Sequence, residues 1–223
     1  MTRRVAGYEL GLDEGWVLVP DGLEDVDAWA REVAVALVPP GAAQAEAEAE
    51  RAVPALDGAG DAAGDPVESL AGRIADVARS ASDSGIDALA VAFLVRRPAL
   101  GDVDAMLTVV AQSGLTAEEF AADLERLVAA SDDPPHVYAQ AIDATVAAGE
   151  VRGAHLMIGH LDPDLGDGVA HLEERVALGV FPPGSPDMLE VTVISNGVSV
   201  FDDMPQEVVD LLGGLTVELE TKA

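Results

Sequence analysis

Two helix-start signals, Asp65-Pro66-Val67-Glu68 and Thr116-Ala117-Glu118-Glu119, bracket a pair of apolar runs, and that order of elements limits what the chain can fold into. In the first signal a capping acid, an N1 proline and an N3 glutamate coincide, followed by Val67, Leu70, Ile74 and Val77 on one face. The second is a capping box, with Phe120, Leu124, Leu127 and Val128 behind it and an end near Ala130. Between them, residues 87–95 are apolar on both alternating faces, as in a strand covered on both sides. A loop over 96–104 then turns the chain back into an antiparallel partner at 105–111.

The flanking segments repeat this grammar. Residues 8–12 and 16–19 read as a strand pair joined at Asp13-Glu14-Gly15. Asp21 with Glu24 reads as the N-cap of a helix of about four turns carrying Leu23, Val26, Ala30, Val33 and Leu37 on one face and ending at Pro39-Pro40. Two further strands are expected over 137–146 and 151–159. Residues 174–203 read as a three-stranded meander: 176–181, 188–194 and 198–201, with Asn196-Gly197 as a type I′ hairpin turn. A short helix over 205–212 stops at Gly213-Gly214, and 215–219 closes the chain as a strand or extended tail. Antiparallel runs punctuated by helices give an α+β fold, a mostly antiparallel sheet with helices packed on it. The expected organisation is a single domain over 1–223 with a flexible Ala/Glu/Gly-rich insertion at 41–64, a tract too poor in large apolar side chains to offset its ordering entropy. The two parts before and after about 130 are either halves of one sheet or a pseudo-duplication.

Composition narrows function by exclusion. The 223 residues carry 41 acids against 12 basic residues, a net charge of −29, with no stripe of cations for a phosphate backbone, so nucleic acid is not an expected partner. A protein partner with a basic surface is expected instead, steered by acids such as Glu24, Asp27, Glu118, Asp123 and Glu125. With no cysteine, thiol chemistry and disulfides are excluded. No run is long and apolar enough for membrane insertion, and the Thr2-Arg3-Arg4 start does not lead into an apolar signal region, which makes a cytoplasmic location the expectation.

Motifs for catalysis are absent: there is no nucleophile elbow, P-loop or dinucleotide fingerprint, and Ser84, Ser113, Ser185 and Ser195 sit in turn or loop contexts. His136, His155, His160 and His171 are read as surface or hydrogen-bonded core residues; 155 and 160, five apart, fall on opposite faces of a strand and do not chelate one metal. Asp162, Asp164 and Asp167, with Glu173, echo a calcium loop, but Gly166 occupies a ligand position and Asp167 the sharp-turn glycine's place, so an acidic turn is the expectation. Trp16 and Trp29 are read as core packing. No cofactor and no catalytic or metal residue is assigned.

The stretches Tyr-Glu-Leu-Gly-Leu-Asp-Glu-Gly-Trp-Val (8–17), Asp-Ala-Trp-Ala (27–30), Asp-Ala-Met-Leu-Thr-Val-Val (104–110) and Glu-Val-Thr-Val-Ile-Ser-Asn-Gly (190–197) resemble uncharacterised actinobacterial proteins related in shape to the PsbP/Mog1-like α+β sandwich. The resemblance implies a non-enzymatic binding or accessory role and carries no site residue across; the expected function is that of a protein-binding or accessory protein linked to a bacterial secretion or cell-surface system. The alternative expectation is a hydrolase or small-ligand enzyme built from dispersed Asp, His and Ser residues. A pocket joining His155 or His160 to a carboxylate and a serine distinguishes the two.

Overall fold

Strand β4 (Ala105–Ser113) and strand β8 (Asp187–Ser195) pair antiparallel in unbroken register along their full length, from Ala105 opposite Ser195 to Ser113 opposite Asp187. This seam joins the two halves of the chain into one seven-stranded sheet of order β2-β3-β4-β8-β7-β6-β5. The computed structural model describes residues 3–41, 65–84, 88–130, 136–161, 169–195 and 197–221. On the early side of the seam lie β3 (Ala88–Leu94) and the short β2 (Trp16–Leu18); on the late side lie β7 (Val169–Phe181), β6 (Gly149–Leu161) and β5 (His136–Val146). All neighbours are antiparallel, and among the described residues four helices pack on the sheet: α1 (Val26–Leu37), α2 (Pro66–Asp83), α3 (Ala117–Ala130) and α4 (Met204–Gly213). The α+β expectation holds, and the two halves form one continuous sheet.

The helix starts behave as their side chains dictate. Asp65 accepts from the Val67 amide at 3.0 Å with Pro66 at N1. Thr116 and Glu119 cap each other: the Glu119 amide donates to Thr116 Oγ1 at 3.2 Å and the Thr116 amide to Glu119 Oε2 at 2.9 Å, which holds the Glu119 carboxyl below its ordinary range. Helix α1, expected from Asp21, instead starts at Asp25, whose carboxylate accepts from the Ala28 amide at 2.9 Å. Gly22 is left-handed, with φ +67°, and interrupts the helix that Asp21 would have begun.

The sheet's two faces are covered differently. On one, the core face, α4 and a two-stranded ribbon of β1 (Arg3–Glu9) and β9 (Thr216–Thr221) bury Leu107, Val109, Leu178, Val180, Leu189, Val191 and Val193 with Met204, Val208, Leu212 and Leu215. On the other, α1 and α2 enclose Phe93 and Val95 with Leu70, Ile74, Ala30 and Ala34, while α3 lies over Ala154, Leu156 and Ile158. Trp29 meets Phe93 edge-on at 6.2 Å, and Trp16 is half-buried against the core-face cluster, so both tryptophans pack as expected.

Three pairings differ from the sequence reading. The 8–12 segment does not pair with 16–19; β1 pairs with β9, β2 pairs with β3, and Leu10 and Leu12 lie against the core instead. The expected third strand of the meander over 198–201 does not form, because β4 and β7 already occupy both flanks of β8 and leave no edge for a return. Val200 and Phe201 are buried instead, with Arg96 donating to the Val200 carbonyl at 2.7 Å, its guanidinium 4.7 Å over the Phe201 ring. The chain then enters α4, whose cap Asp203 accepts from the Gln206 amide at 3.1 Å. Gly197 has no positive φ, and Asn196 lies outside the described residues, as do 42–64 of the expected insertion.

The ribbon is fastened to the seam by Asp187. Its Oδ1 accepts from the Ser113 hydroxyl at 2.7 Å and from Arg4, and its Oδ2 accepts from the Val5 amide at 3.0 Å. Burial pushes this carboxyl upward, but the Ser113, Val5 and Arg4 donors outweigh it and hold it below the ordinary aspartate range. The stabilisation is therefore present above the ordinary value of about 3.9 and is lost as pH falls through the lower folded-state value. Asp187→Asn should cost about 2 kcal/mol at neutral pH, and its deficit relative to the native chain should shrink in urea unfolding series run toward about pH 3. A deficit unchanged by pH would show the carboxylate charge to be irrelevant to the fastening.

Candidate binding cleft

Among the described residues, the helices on the outer face leave the middle of the sheet open. Helix α2 seats on β3 and α3 on β6, four strand positions away in the order β3-β4-β8-β7-β6. At about 4.8 Å per strand the helices stand roughly 19 Å apart, twice the 8–10 Å at which helices pack on each other. The burial of the central strands records the gap. Along β8 the core-face residues Leu189, Val191, Val193 and Ser195 are buried, whereas Glu190, Thr192 and Ile194 between them are half-exposed. Along β4 the same alternation sets buried Leu107 and Val109 against half-exposed Met106, Thr108 and Val110. A central pair of strands would ordinarily be covered on both faces; here one face floors a cleft.

Thr108 and Thr192 pair at the middle of the cleft floor, with Met106, Val110 and Ile194 as its apolar members. Toward α2 the cleft deepens into a cavity of about 340 Å³ lined by Arg73, Asp76, Val77 and Ser80 from the helix and by Met106 and Ile194 from the floor. Toward α3 stands Glu190, which accepts a hydrogen bond from the Gln112 side-chain amide. Partial burial pushes the Glu190 carboxyl above its ordinary range. Among the described residues no cation lies within ion-pair distance of it, although most arginines in the structure are paired: Arg31 with Glu68, Arg79 with Asp27, Arg126 with Asp123 and Arg152 with Asp143. Asp27 and Asp123 are thus partly neutralised, and Glu118 and Glu125 lie on α3, whereas Glu190, which composition alone did not single out, lies on the strand floor between α2 and α3.

Beside the cleft, two histidines meet two carboxylates on opposite faces of the sheet, as their odd separation dictates. His155 Nε2 lies 2.8 Å from Glu174 Oε1 on the core face. His160 Nε2 lies 3.1 Å from Glu173 Oε2 on the cleft face, where Arg175 also binds Glu173 and His171 stacks on His160 at 4.2 Å. Glu174 Oε2 is buried without a hydrogen-bond partner. Ser195, opposite Glu174 across β7 and β8, gives its hydroxyl to the Asp104 and Gly197 carbonyls, each at 3.0 Å. Each histidine therefore reaches a carboxylate, and the serine nearest the buried pair is committed elsewhere, so a hydroxyl–imidazole–carboxylate relay is not assembled at Ser195. Among the described residues no cluster of three or more His, Asp or Glu has metal-holding geometry. Asp162, Asp164 and Asp167 lie outside the described residues, as does the side chain of His136.

The other serines singled out in the sequence serve the frame: Ser113 binds Asp187, and the Ser185 hydroxyl accepts from the Asp187 amide at 3.1 Å in the loop after β7. A separate apolar pocket of about 280 Å³ lies on the core face between Leu10, Leu12, Leu18 and Leu107, with Tyr8 and Asp21 at its margin. Burial, then Asp21, pushes the Tyr8 hydroxyl up.

Because the folded protein disfavours charge on Glu190, its contribution is favourable below the ordinary glutamate value of about 4.3 and is lost as pH rises toward neutrality. Glu190→Gln should therefore raise the melting temperature slightly at pH 7, by about 1–3 °C, with the gain disappearing below about pH 4 in calorimetric scans.

No protein-family profile matches the chain, and no curated protein does. Among solved structures, a protein from Bacteroides thetaiotaomicron VPI-5482 shares 9% identity at a TM-score of 0.30, over 58% of this chain and 38% of that one, so the chain spans well under half of that protein. A likeness this slight bears on neither fold nor function. Among the described residues no helix is long and apolar enough to cross a membrane.

Proposed function

We propose that this chain is a non-enzymatic protein-binding or accessory protein that takes an extended segment of a basic partner into the cleft over β4 and β8. The observation that carries the reading is Glu190: a half-buried carboxylate on the floor of an open cleft, with no cation within ion-pair distance among the described residues. A lysine or arginine side chain entering the cleft meets a carboxylate that is already partly desolvated, where a charge-assisted hydrogen bond is stronger than at the open surface. Met106, Val110 and Ile194 offer apolar contact to the small side chains on either side of that cation, and the net charge of −29 raises the encounter rate of a basic partner.

Selection of a random peptide library on the intact protein tests this. It should enrich sequences in which Lys or Arg is flanked by small apolar residues, binding should weaken several-fold between about 50 and about 300 mM salt, and Glu190→Gln should lower affinity about tenfold while leaving the fold intact. Enrichment of sequences without a basic residue, or affinity indifferent to Glu190→Gln, would sink the proposal.

A further inference from the structure

The two edges of the large sheet are unlike. At one, β2 is three residues long and is followed by Pro20, both devices that keep an edge from recruiting another chain. At the other, β5 runs for eleven residues as His-Val-Tyr-Ala-Gln-Ala-Ile-Asp-Ala-Thr-Val. It contains no proline and no lysine. Its one bulge lies at the 136–138 end, leaving 139–146 in regular register with β6. Residues 138–141, 143 and 145 are exposed, among them Tyr138 at 41%. Its only acid, Asp143, is engaged by Arg152 at 2.9 Å.

In a chain with 41 acids an edge this poor in charge is not the surface for a basic partner. We propose that β5 is a self-pairing edge, and that a second copy of this chain adds its own β5 antiparallel to continue the sheet across a two-fold axis. Antiparallel pairing about Ala141 sets no two charged side chains opposite each other. With Ala141 opposite its symmetry mate, Gln140 faces Ile142, Ala139 faces Asp143 and Tyr138 faces Ala144. The two Asp143 carboxylates then stand about four residues apart along the strands, roughly 14 Å, beyond the screening length of about 8 Å. On the face beneath α3, a groove of about 550 Å³ floored by Ala139, Ala141 and Ala154 and walled by Ala121, Ala122 and Leu124 runs beside the edge, and the two-fold joins it to its counterpart. Glu118 and Glu125 line the same groove, so the two α3 helices bring like charge together as the strands pair. Salt should therefore tighten this contact, the reverse of its effect on a basic partner in the cleft.

Sedimentation of the intact protein from about 1 to about 100 µM should show a monomer–dimer equilibrium whose dissociation constant falls several-fold between about 50 and about 300 mM salt. Ala141 is exposed, so Ala141→Lys and Ala141→Glu should keep the native circular dichroism and melting profile while each alone becomes monomeric, because like charges face each other across the axis. Mixing the two variants should restore the dimer. A protein that stays monomeric over this range, a dimer indifferent to both variants, or two monomeric variants whose mixture stays monomeric would overturn the proposal.

Discussion

The pairing of β4 with β8 is the interaction on which the rest of the molecule depends. Among the described residues it is the only ladder in the large sheet that joins the first half of the chain to the second, and it runs through nine residue pairs without a bulge. Its core-face side chains, Leu107, Val109, Val191 and Val193, are fully buried and set the position of α4 above them. Its two flanks are taken by β3 and β7, which fixes where every later strand must go. The absence of a return strand after Ser195 follows from the same fact, since a strand with partners on both sides cannot recruit a third. Loss of pairing here would separate the Phe93 cluster from the Leu178 cluster and leave two half-sheets, each with a new exposed edge.

The seam also creates the cleft. Helices belonging to each half settle on their own strands, α2 on β3 and α3 on β6, and among the described residues neither half supplies a helix for the strands at the junction. Gly179 helps α3 settle close: a β-carbon there would come 2.9 Å from the Phe181 ring and 3.1 Å from the Phe120 ring, which meet edge-on at 6.0 Å. A side chain at 179 would lift α3 from the sheet. The open floor is thus what remains when two helix-bearing half-sheets join edge to edge.

The elements with local signals were legible in the sequence. The caps at Asp65 and Thr116, the strand read over 87–95 and the stop at Gly213-Gly214 each rest on chemistry within a few residues and each formed, the strand over 88–94; its cover on both sides holds only toward Phe93 and Leu94, since Leu89 is exposed. Asp21 misled because an acid followed three residues later by Glu also describes the turn through left-handed Gly22, and the true cap lay four residues on at Asp25. The strand pair at 8–19 and the return strand at 198–201 failed for a different reason: local turn chemistry proposed partners, but β9 and the occupied flanks of β8 decided them at long range. The cleft left one trace in the sequence. The alternation Leu-Glu-Val-Thr-Val-Ile over 189–194 marks a strand with one dry face and one wetter face, although at the centre of a sheet. Which polar residue of that face would lack a cation could not be read without the register that puts Gln112, and no arginine, beside Glu190.

The ribbon of β1 and β9 carries a consequence for how the chain acquires its structure. Arg3 pairs with Thr221 and Glu9 with Thr216, contacts that span more than 200 residues of sequence. During synthesis β1 leaves the ribosome first and must wait, with Val5 and Tyr8 uncovered, until β9 emerges. Arg4 and the Val5 amide can dock on Asp187 before that, as soon as β8 has joined β4, which would hold the waiting strand against the sheet it will later roof. The clasp is therefore placed to shorten a long loop closure into a short one, so that the last strand meets a partner already in position.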